Sequence, residues 1–247
     1  MISILLPTRK RPKKLERLVN SLRETSSVFP EIVVYIDDDD LESLVKAEEL
    51  KLKIVKGPRL RCLSNAWNKC YDNCTGDILV TCGDDVVFRT QNWDKMMEEK
   101  FESYLDHIVM VYGQDIIDNV PTPSVSHPVI HRRCVEIAGY FSPPLFRGND
   151  LWWRDVFVFL GRAINLPFVM DHMHHSVGKS EFDDTYREAN QEDSNFMKTG
   201  EYSNFSEGLV KYADMAYERL EDAAKLQEVI NQYERYHEND FNFISNA

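Results

Sequence analysis

The sequence predicts an α/β fold, a mostly parallel sheet flanked by helices and closed by a long C-terminal helix. Three observations point there. Short β-branched apolar runs alternate with helical spacings through the first 105 residues. Polar clusters follow three of those runs at once, as expected where strands end at a ligand-binding edge. A wide apolar stripe at helical spacing occupies the last part of the chain.

Ile2-Ser3-Ile4-Leu5-Leu6, stopped by Pro7-Thr8, is short and apolar enough for a buried parallel strand. Pro12 suits the first turn of the helix that follows, and Leu15, Leu18, Val19 and Leu22 recur on one face before Thr25-Ser26-Ser27. Glu31 to Ile36 reads as the second strand and runs into Asp37-Asp38-Asp39-Asp40, completing a βαβ unit. A helix over Leu41 to Leu50, a strand at Leu52 to Val55 and a helix near Leu63 to Tyr71 continue the alternation. Asp77 to Cys82 is a further strand that ends in Gly83-Asp84-Asp85.

Beyond residue 105 the pattern weakens. Ile108 to Tyr112 reads as a strand, Pro121 to Pro128 as a loop, and His131 to Gly139 as a helix or strand pair. Asp150 to Gly161 reads as an aromatic-rich helix, and Asp171 to Tyr186 as a polar loop dense in His and Asp. Ser206 to His237 carries the C-terminal stripe, with Leu209, Tyr212, Ala216, Leu220, Ala223, Leu226, Ile230 and Tyr233. Packing on its own domain is the simpler use of that stripe, and a homodimer seam is the other.

Composition narrows the function classes. The 247 residues are 43% hydrophobic, enough for a core without staples, so disulfide-scaffold and disordered readings fall away. With 29 Lys+Arg against 41 Asp+Glu the net charge is −12, which argues against a broad nucleic-acid face and leaves only a local basic patch from Arg9 to Lys14. The most membrane-like run, Val156 to Met170, is broken by Arg162, Asn165 and Pro167, and the N-terminus lacks the marks of a secretion signal. Five cysteines without a Cys-x-x-Cys pair fit free thiols, and the expected compartment is the cytoplasm.

The chemistry-bearing residues cluster at the predicted strand ends. Consecutive aspartates repel and raise one another's pKa unless a cation or donors absorb the charge. Asp39 and Asp40, just before Leu41, read as a solvated turn and helix cap, whereas Asp37 and Asp38 are candidates for a nucleoside contact. Asp84 and Asp85 are hard oxygen ligands suited to Mn2+ or Mg2+ shared with a diphosphate. In Asp171-His172-Met173-His174-His175 two imidazoles at i and i+2 share a face if the segment is extended, and His172 or His174 can complete such a metal shell. Trp152, Trp153, Phe157 and Phe159 are either core or a sugar-stacking wall.

Pro7-Thr8-Arg9-x-Arg11, the acidic end of the second strand, Asn65-Ala66-Trp67-Asn68 and Cys82-Gly83-Asp84-Asp85, in that order, resemble the family 2 glycosyltransferases of the GT-A (Rossmann-like) fold. The resemblance covers roughly residues 1 to 180. It implies that Thr8, Arg9 and Asp37 or Asp38 hold a nucleotide-diphosphate sugar, commonly a uridine diphosphate (UDP) sugar, with Pro7, Asn65 and Asp84 in the matching segments as further candidates; Arg11 and Arg61 can add donors to its phosphates. It also implies a divalent metal on Asp84, Asp85 and His172 or His174. Two departures stand out: Trp67 replaces the arginine of the family's Ala-Arg-Asn helix, and Cys82 replaces the first aspartate of its Asp-x-Asp motif. Gly148-Asn149-Asp150 is similar to the Glu-Asp pair that carries the base of inverting members, which makes Asp150 the expected base and Asp155 the reserve.

On this resemblance residues 1–105 are the nucleotide-sugar-binding half, 106–200 the acceptor and metal-completing half of the same domain, and 201–247 a C-terminal helical extension. The acceptor is not encoded in any motif. A nucleotidyltransferase is a second reading, but its Gly-rich triphosphate loop has no counterpart in Pro7-Thr8-Arg9-Lys10-Arg11. A non-catalytic interaction protein on the same scaffold is a third.

Overall fold

The computed structural model describes all residues except 61, 144–148, 189–214 and 245–247, with the side chains of 149–150, 176 and 237–244 also outside the description. Among the described residues nine strands form one sheet, in the order β3-β2-β1-β4-β8-β6-β9-β5 with β7 beside β6. The first four positions are β1 (Ile2–Thr8), β2 (Glu31–Asp37), β3 (Lys53–Gly57) and β4 (Ile78–Thr81). These four pair parallel throughout. The crossovers are α1 (Pro12–Thr25), α2 (Leu41–Glu49) and α3 (Leu63–Tyr71).

The strands are buried on both faces because apolar residues stand at successive positions. Ile4 and Leu6 of β1, with Val34 and Ile36 of β2, join the core beneath α1, where Leu15, Leu18 and Leu22 pack. Leu5, Val33 and Tyr35 point the other way, against Trp67 and Cys70 of α3. Local signals start the helices as the sequence suggests. Pro12 opens α1, and the Asp40 carboxylate caps α2 by accepting from the Ser43 N–H at 3.1 Å.

The second half of the sheet is mixed, because short strands and hairpins replace βαβ crossovers. β5 (Val86–Phe88) follows β4 directly, and α4 (Trp93–Glu102) leads to β6 (Met110–Ile117), β7 (Val120–Pro123) and β8 (Val129–His131). β5, α4 and β7 were not legible in the sequence, and the expected element at 131–139 is the end of β8 followed by α5 (Arg132–Ala138). After α6 (Asn149–Phe159), β9 (Ala163–His172) returns beside β6. β9 includes Asp171 and His172, so the expected polar loop begins only at Met173 and contains a 3-10 turn at His175–Val177 and a helical turn over 184–188.

Direction matters for the site. β8 is antiparallel to β4, β6 is antiparallel to β8, and β9 is parallel to β6, so β9 ends at the same edge as β1, β2 and β4. β5 then runs back antiparallel to β9 with Val86 opposite His172, which sets Asp85 beside that histidine.

The C-terminal helix, α7 (Ala216–Ile244), lies against α5 and α6 through Ala223, Leu226 and Ile230. It extends past the expected end at His237, while Leu209 and Tyr212 of the expected stripe fall outside the described residues. Packing on its own domain therefore absorbs the stripe, except that Leu220 is exposed. Trp152 and Trp153 are core rather than a sugar wall: their indole N–H groups donate to Asp222 at 3.1 Å and to the Phe141 carbonyl at 2.6 Å. Phe157 is buried with them, and Phe159 faces outward. Among the described residues no helix is long and apolar enough to cross a membrane.

Candidate active site

The carboxyl ends of β1, β2, β4 and β9 open onto a cavity of about 560 Å³. Pro7, Thr8, Arg9, Arg11, Asp37, Asp84, Asp85, His172 and His174, all expected from the sequence, line it. Two expected residues do not. Asn65 is exposed, because α3 turns Leu63, Ala66 and Trp67 toward the cavity and residue 65 lies off that face. Asp38 is exposed past the end of β2, one position out of phase with buried Asp37. Arg61 lies outside the described residues, and so does the side chain of Asp150, which sits in the first turn of α6. Asp155, the reserve candidate, is bound to Arg154 at 2.5 Å and Arg219 at 3.3 Å.

Asp84 and Asp85 occupy the turn between β4 and β5, both almost fully buried. Gly83 makes room for this, since a Cβ there would stand 2.9 Å from Asp85 Oδ1. Thr8 Oγ1 donates to Asp84 Oδ2 at 2.7 Å and Arg11 Nη1 to Asp84 Oδ1 at 3.1 Å. Burial raises the Asp84 carboxyl to about 6, against the pull of Arg11 and with the help of the neighbouring Asp85 charge. Asp85 goes the opposite way: burial opposes its charge, but His172, Tyr186 and Arg11 outweigh it and hold the carboxyl well below the usual range. His172 Nε2 lies 3.3 Å from Asp85 Oδ1, and the Tyr186 hydroxyl donates to Oδ2 at 2.6 Å.

The pair is thus a buried acidic centre with one imidazole on it, a donor set of hard oxygens and a nitrogen that suits Mn2+ or Mg2+. The demand for a cation is visible in Asp84, whose charge is only partly compensated by Thr8 and Arg11. Among the described residues no three metal-ligating side chains already stand together as a cage, and Arg11 and Tyr186 each donate to a carboxylate oxygen of the pair. Of the two expected histidines, His172 reaches Asp85, while the His174 ring stands 5.0 Å from that of Tyr186.

The basic residues form a second layer. Arg9 Nη1 donates to Asp37 at 2.9 Å and to Asp39 at 2.6 Å. Asp37 is raised by burial, an effect that Arg9 partly offsets. Sequence reasoning missed four contributors. Arg59 lines the cavity at the loop after β3, and Asp183, Tyr186 and Glu188 reach back from the segment after the 3-10 turn. No local motif joins them, because each contact spans more than 100 positions of the chain. His127 was missed as well: it is nearly buried on the cavity wall, its ring 5.1 Å edge-on to His172, and burial lowers it to about 3, so it is neutral.

Comparison with known proteins agrees with this geometry. The Glycosyl transferase family 2 model matches residues 3–173. No curated protein matches the sequence. Among solved structures, S. aureus TarS 1-349 in complex with UDP-GlcNAc aligns with a TM-score of 0.56 at 11% identity, covering 95% of this chain and 91% of that one. Glucosyl-3-phosphoglycerate synthase from Mycobacterium tuberculosis, bound to Mn2+, UDP and glucosyl-3-phosphoglycerate, gives 0.52 at 15% identity, covering 77% and 76%. The mannosyltransferase PcManGT from Pyrobaculum calidifontis, with GDP-Man and Mn2+, gives 0.52 at 12%, covering 94% and 86%. A longer TarS structure is covered over only 36% of its length. These likenesses establish the fold, and the match over residues 3–173 establishes the family: the chain belongs to glycosyltransferase family 2, built on the GT-A fold.

Proposed function

We propose that this chain moves a sugar from a nucleotide-diphosphate sugar, a UDP-sugar first among them, to an acceptor hydroxyl with inversion at the anomeric carbon. The observation that carries the reading is the convergence of a buried carboxylate pair and three arginines on one cavity at the strand ends. In it Asp37, at the end of β2, accepts from the nucleoside, with Pro7 and Thr8 forming the wall beside it. Arg9 and Arg11 supply charge-assisted donors to the diphosphate. Asp84 and Asp85, with His172, would hold Mn2+ or Mg2+, and His174 stays close enough to the cavity to be the alternative imidazole. A cation bound there stabilises the charge on the departing diphosphate.

Asp150 is the base in this reading. It takes the acceptor hydroxyl's proton as that oxygen bonds to the anomeric carbon, while the bond to the diphosphate breaks and its electron pair leaves with the nucleotide. One direct displacement inverts the configuration and needs no covalent enzyme intermediate. The Mn2+ and nucleotides bound in the mycobacterial synthase and the archaeal mannosyltransferase support the cofactor and donor class. The cysteines Cys70, Cys74, Cys82 and Cys134, buried as thiols, fit a reducing compartment, the cytoplasm.

The test is a panel of nucleotide sugars and nucleotide diphosphates, each with and without Mn2+, read by thermal shift and by release of the diphosphate. Ligand that binds only the folded state raises the melting temperature by mass action. The reading expects a Mn2+-dependent rise and slow donor breakdown with one nucleotide, both lost in an Asp84→Ala, Asp85→Ala variant. No shift and no breakdown with any nucleotide would overturn it.

A further inference from the structure

The cations that line the nucleotide cavity are already engaged by carboxylates of the chain itself. Glu188 accepts from Arg9 Nε at 3.0 Å, Arg59 Nη1 at 2.7 Å and Lys10 Nζ at 2.6 Å. Asp183 takes Arg11 through two bonds, at 2.9 and 2.7 Å, and Lys14 at 2.7 Å. Between them Tyr186 stacks beneath the Arg11 guanidinium, 4.1 Å from the ring centroid, and its hydroxyl donates to Asp85. Thr185 fastens the turn by donating to the Arg9 carbonyl at 2.8 Å. Two carboxylates thus stand where the basic residues would meet a diphosphate, and a hydroxyl stands on the oxygen that a metal would use.

We propose that residues 181–188 are an internal stand-in for the metal-bound diphosphate, a resting plug that the donor must displace. The inference rests on the donor-site reading above. Its physical basis is charge. Arg9 and Arg11 have side chains only 12% and 10% exposed, and the strand-end carboxylates Asp37, Asp39 and Asp84 answer only part of the positive charge that they share with Lys10, Lys14 and Arg59. Asp183 and Glu188 neutralise them in the donor's absence. The plug is attached by ion pairs and by Tyr186, whose ring also meets those of His174, His175 and Phe182, while Glu181 and Phe182 are exposed. Three of its ion-pair partners, Arg9, Arg11 and Arg59, line the cavity, so a bound diphosphate would compete with the plug for each of them. Donor affinity is then reduced by the fraction of molecules that are closed.

The experiment measures binding of UDP and GDP by calorimetry, each with Mn2+, to wild type, to Asp183→Asn/Glu188→Gln and to Glu188→Gln alone. Circular dichroism checks that each is folded. The proposal expects the double variant to bind the preferred nucleotide about tenfold more tightly and the single variant to fall between, which corresponds to a plug closed about nine-tenths of the time. A Tyr186→Phe variant titrated with Mn2+ alone should also bind the metal more tightly than wild type. Unchanged or weaker nucleotide binding in the variants, with wild type binding, would overturn the plug and make the segment a clamp that grips the donor instead. Binding by no protein in the set would be a different failure, that of the donor site, and the plug would fall with it.

Discussion

The strand-end carboxylates and the segment that covers them are held by different forces. Asp84 and Asp85 sit on a turn between two buried strands, with Val80 and Val86 in the core on either side. The segment over 181–188 is anchored to the same site chiefly by ion pairs to Arg9, Lys10, Arg11, Lys14 and Arg59, with Tyr186 packed on Arg11, His174 and His175. A site that must keep sub-ångström geometry is built on apolar packing, which is dense and insensitive to salt. A part that must come and go is built on ion pairs, each worth little at the surface and easily exchanged for a ligand's charge. The two regions should therefore fail under different perturbations.

The largest effect is expected at the rigid side. Replacing Asp84 and Asp85 together should lower donor turnover by about 10²- to 10³-fold, the scale on which preorganised electrostatic stabilisation acts, while the variant still unfolds in one cooperative transition. Turnover of the preferred nucleotide sugar and a thermal scan check both halves of that statement. Next, truncating the fully buried Leu5 of β1 to Ala should cost about 2 to 5 kcal/mol in urea unfolding, whereas Glu188→Gln should cost about 1 kcal/mol or less. Equal losses would erase the distinction.

Titration should separate the regions by sign. Asp84, held at about 6 in the fold against 3.8, keeps its proton longer in the folded state. Its contribution to stability is greatest at low pH and is lost as pH rises from about 4 through about 6. Asp84→Asn should therefore raise the melting temperature relative to wild type at pH 7 and barely change it at pH 4. For Asp183 burial opposes the charge, but Arg11 and Lys14 bring it down to about 2. Glu188, likewise opposed by burial, is brought to about 2 by Lys10, Arg59 and Arg9. Their stabilisation is present above the unfolded values of 3.8 and 4.5 and disappears as pH falls toward about 2. The Asp183→Asn/Glu188→Gln difference from wild type should accordingly shrink on acidification. The smallest effect is that of salt: moving from low ionic strength to about 0.5 M should narrow the gap between wild type and that variant in melting temperature, because partly exposed pairs are screened over a few ångströms.

Much of the rigid half was legible in the sequence because its signals are local. β1, β2 and β4 are continuous apolar runs, and the polar residues that matter follow each run directly: Thr8, Asp37 and Asp84. The cap role of Asp40 was legible for the same reason, since an aspartate before a helix carries its own explanation. β9 was hidden because Asn165 and Pro167 interrupt its apolar residues and Arg162 stands just before them. Arg162 is spent on Asp106 at 2.7 Å, and Asn165 donates to the Gly113 carbonyl at 3.0 Å, partners distant in sequence. With β9 unread, His172 stood out as one histidine among three, and only the antiparallel β5–β9 register distinguishes it by setting it beside Asp85. Asn65 misled because a resemblance in a short segment does not say which face of α3 is turned inward. Asp183, Tyr186 and Glu188 were beyond reach, since each makes its contact with residues more than 100 positions away.

The most direct test of the central claim, that the strand-end carboxylates hold a metal-bound nucleotide diphosphate, is calorimetric titration of the preferred nucleotide diphosphate into the protein. It is run with Mn2+, with chelator, and with the Asp84→Asn/Asp85→Asn variant. One-to-one binding that needs both the metal and the aspartates is the predicted result. Equal affinity in chelator, or in the variant, would contradict it.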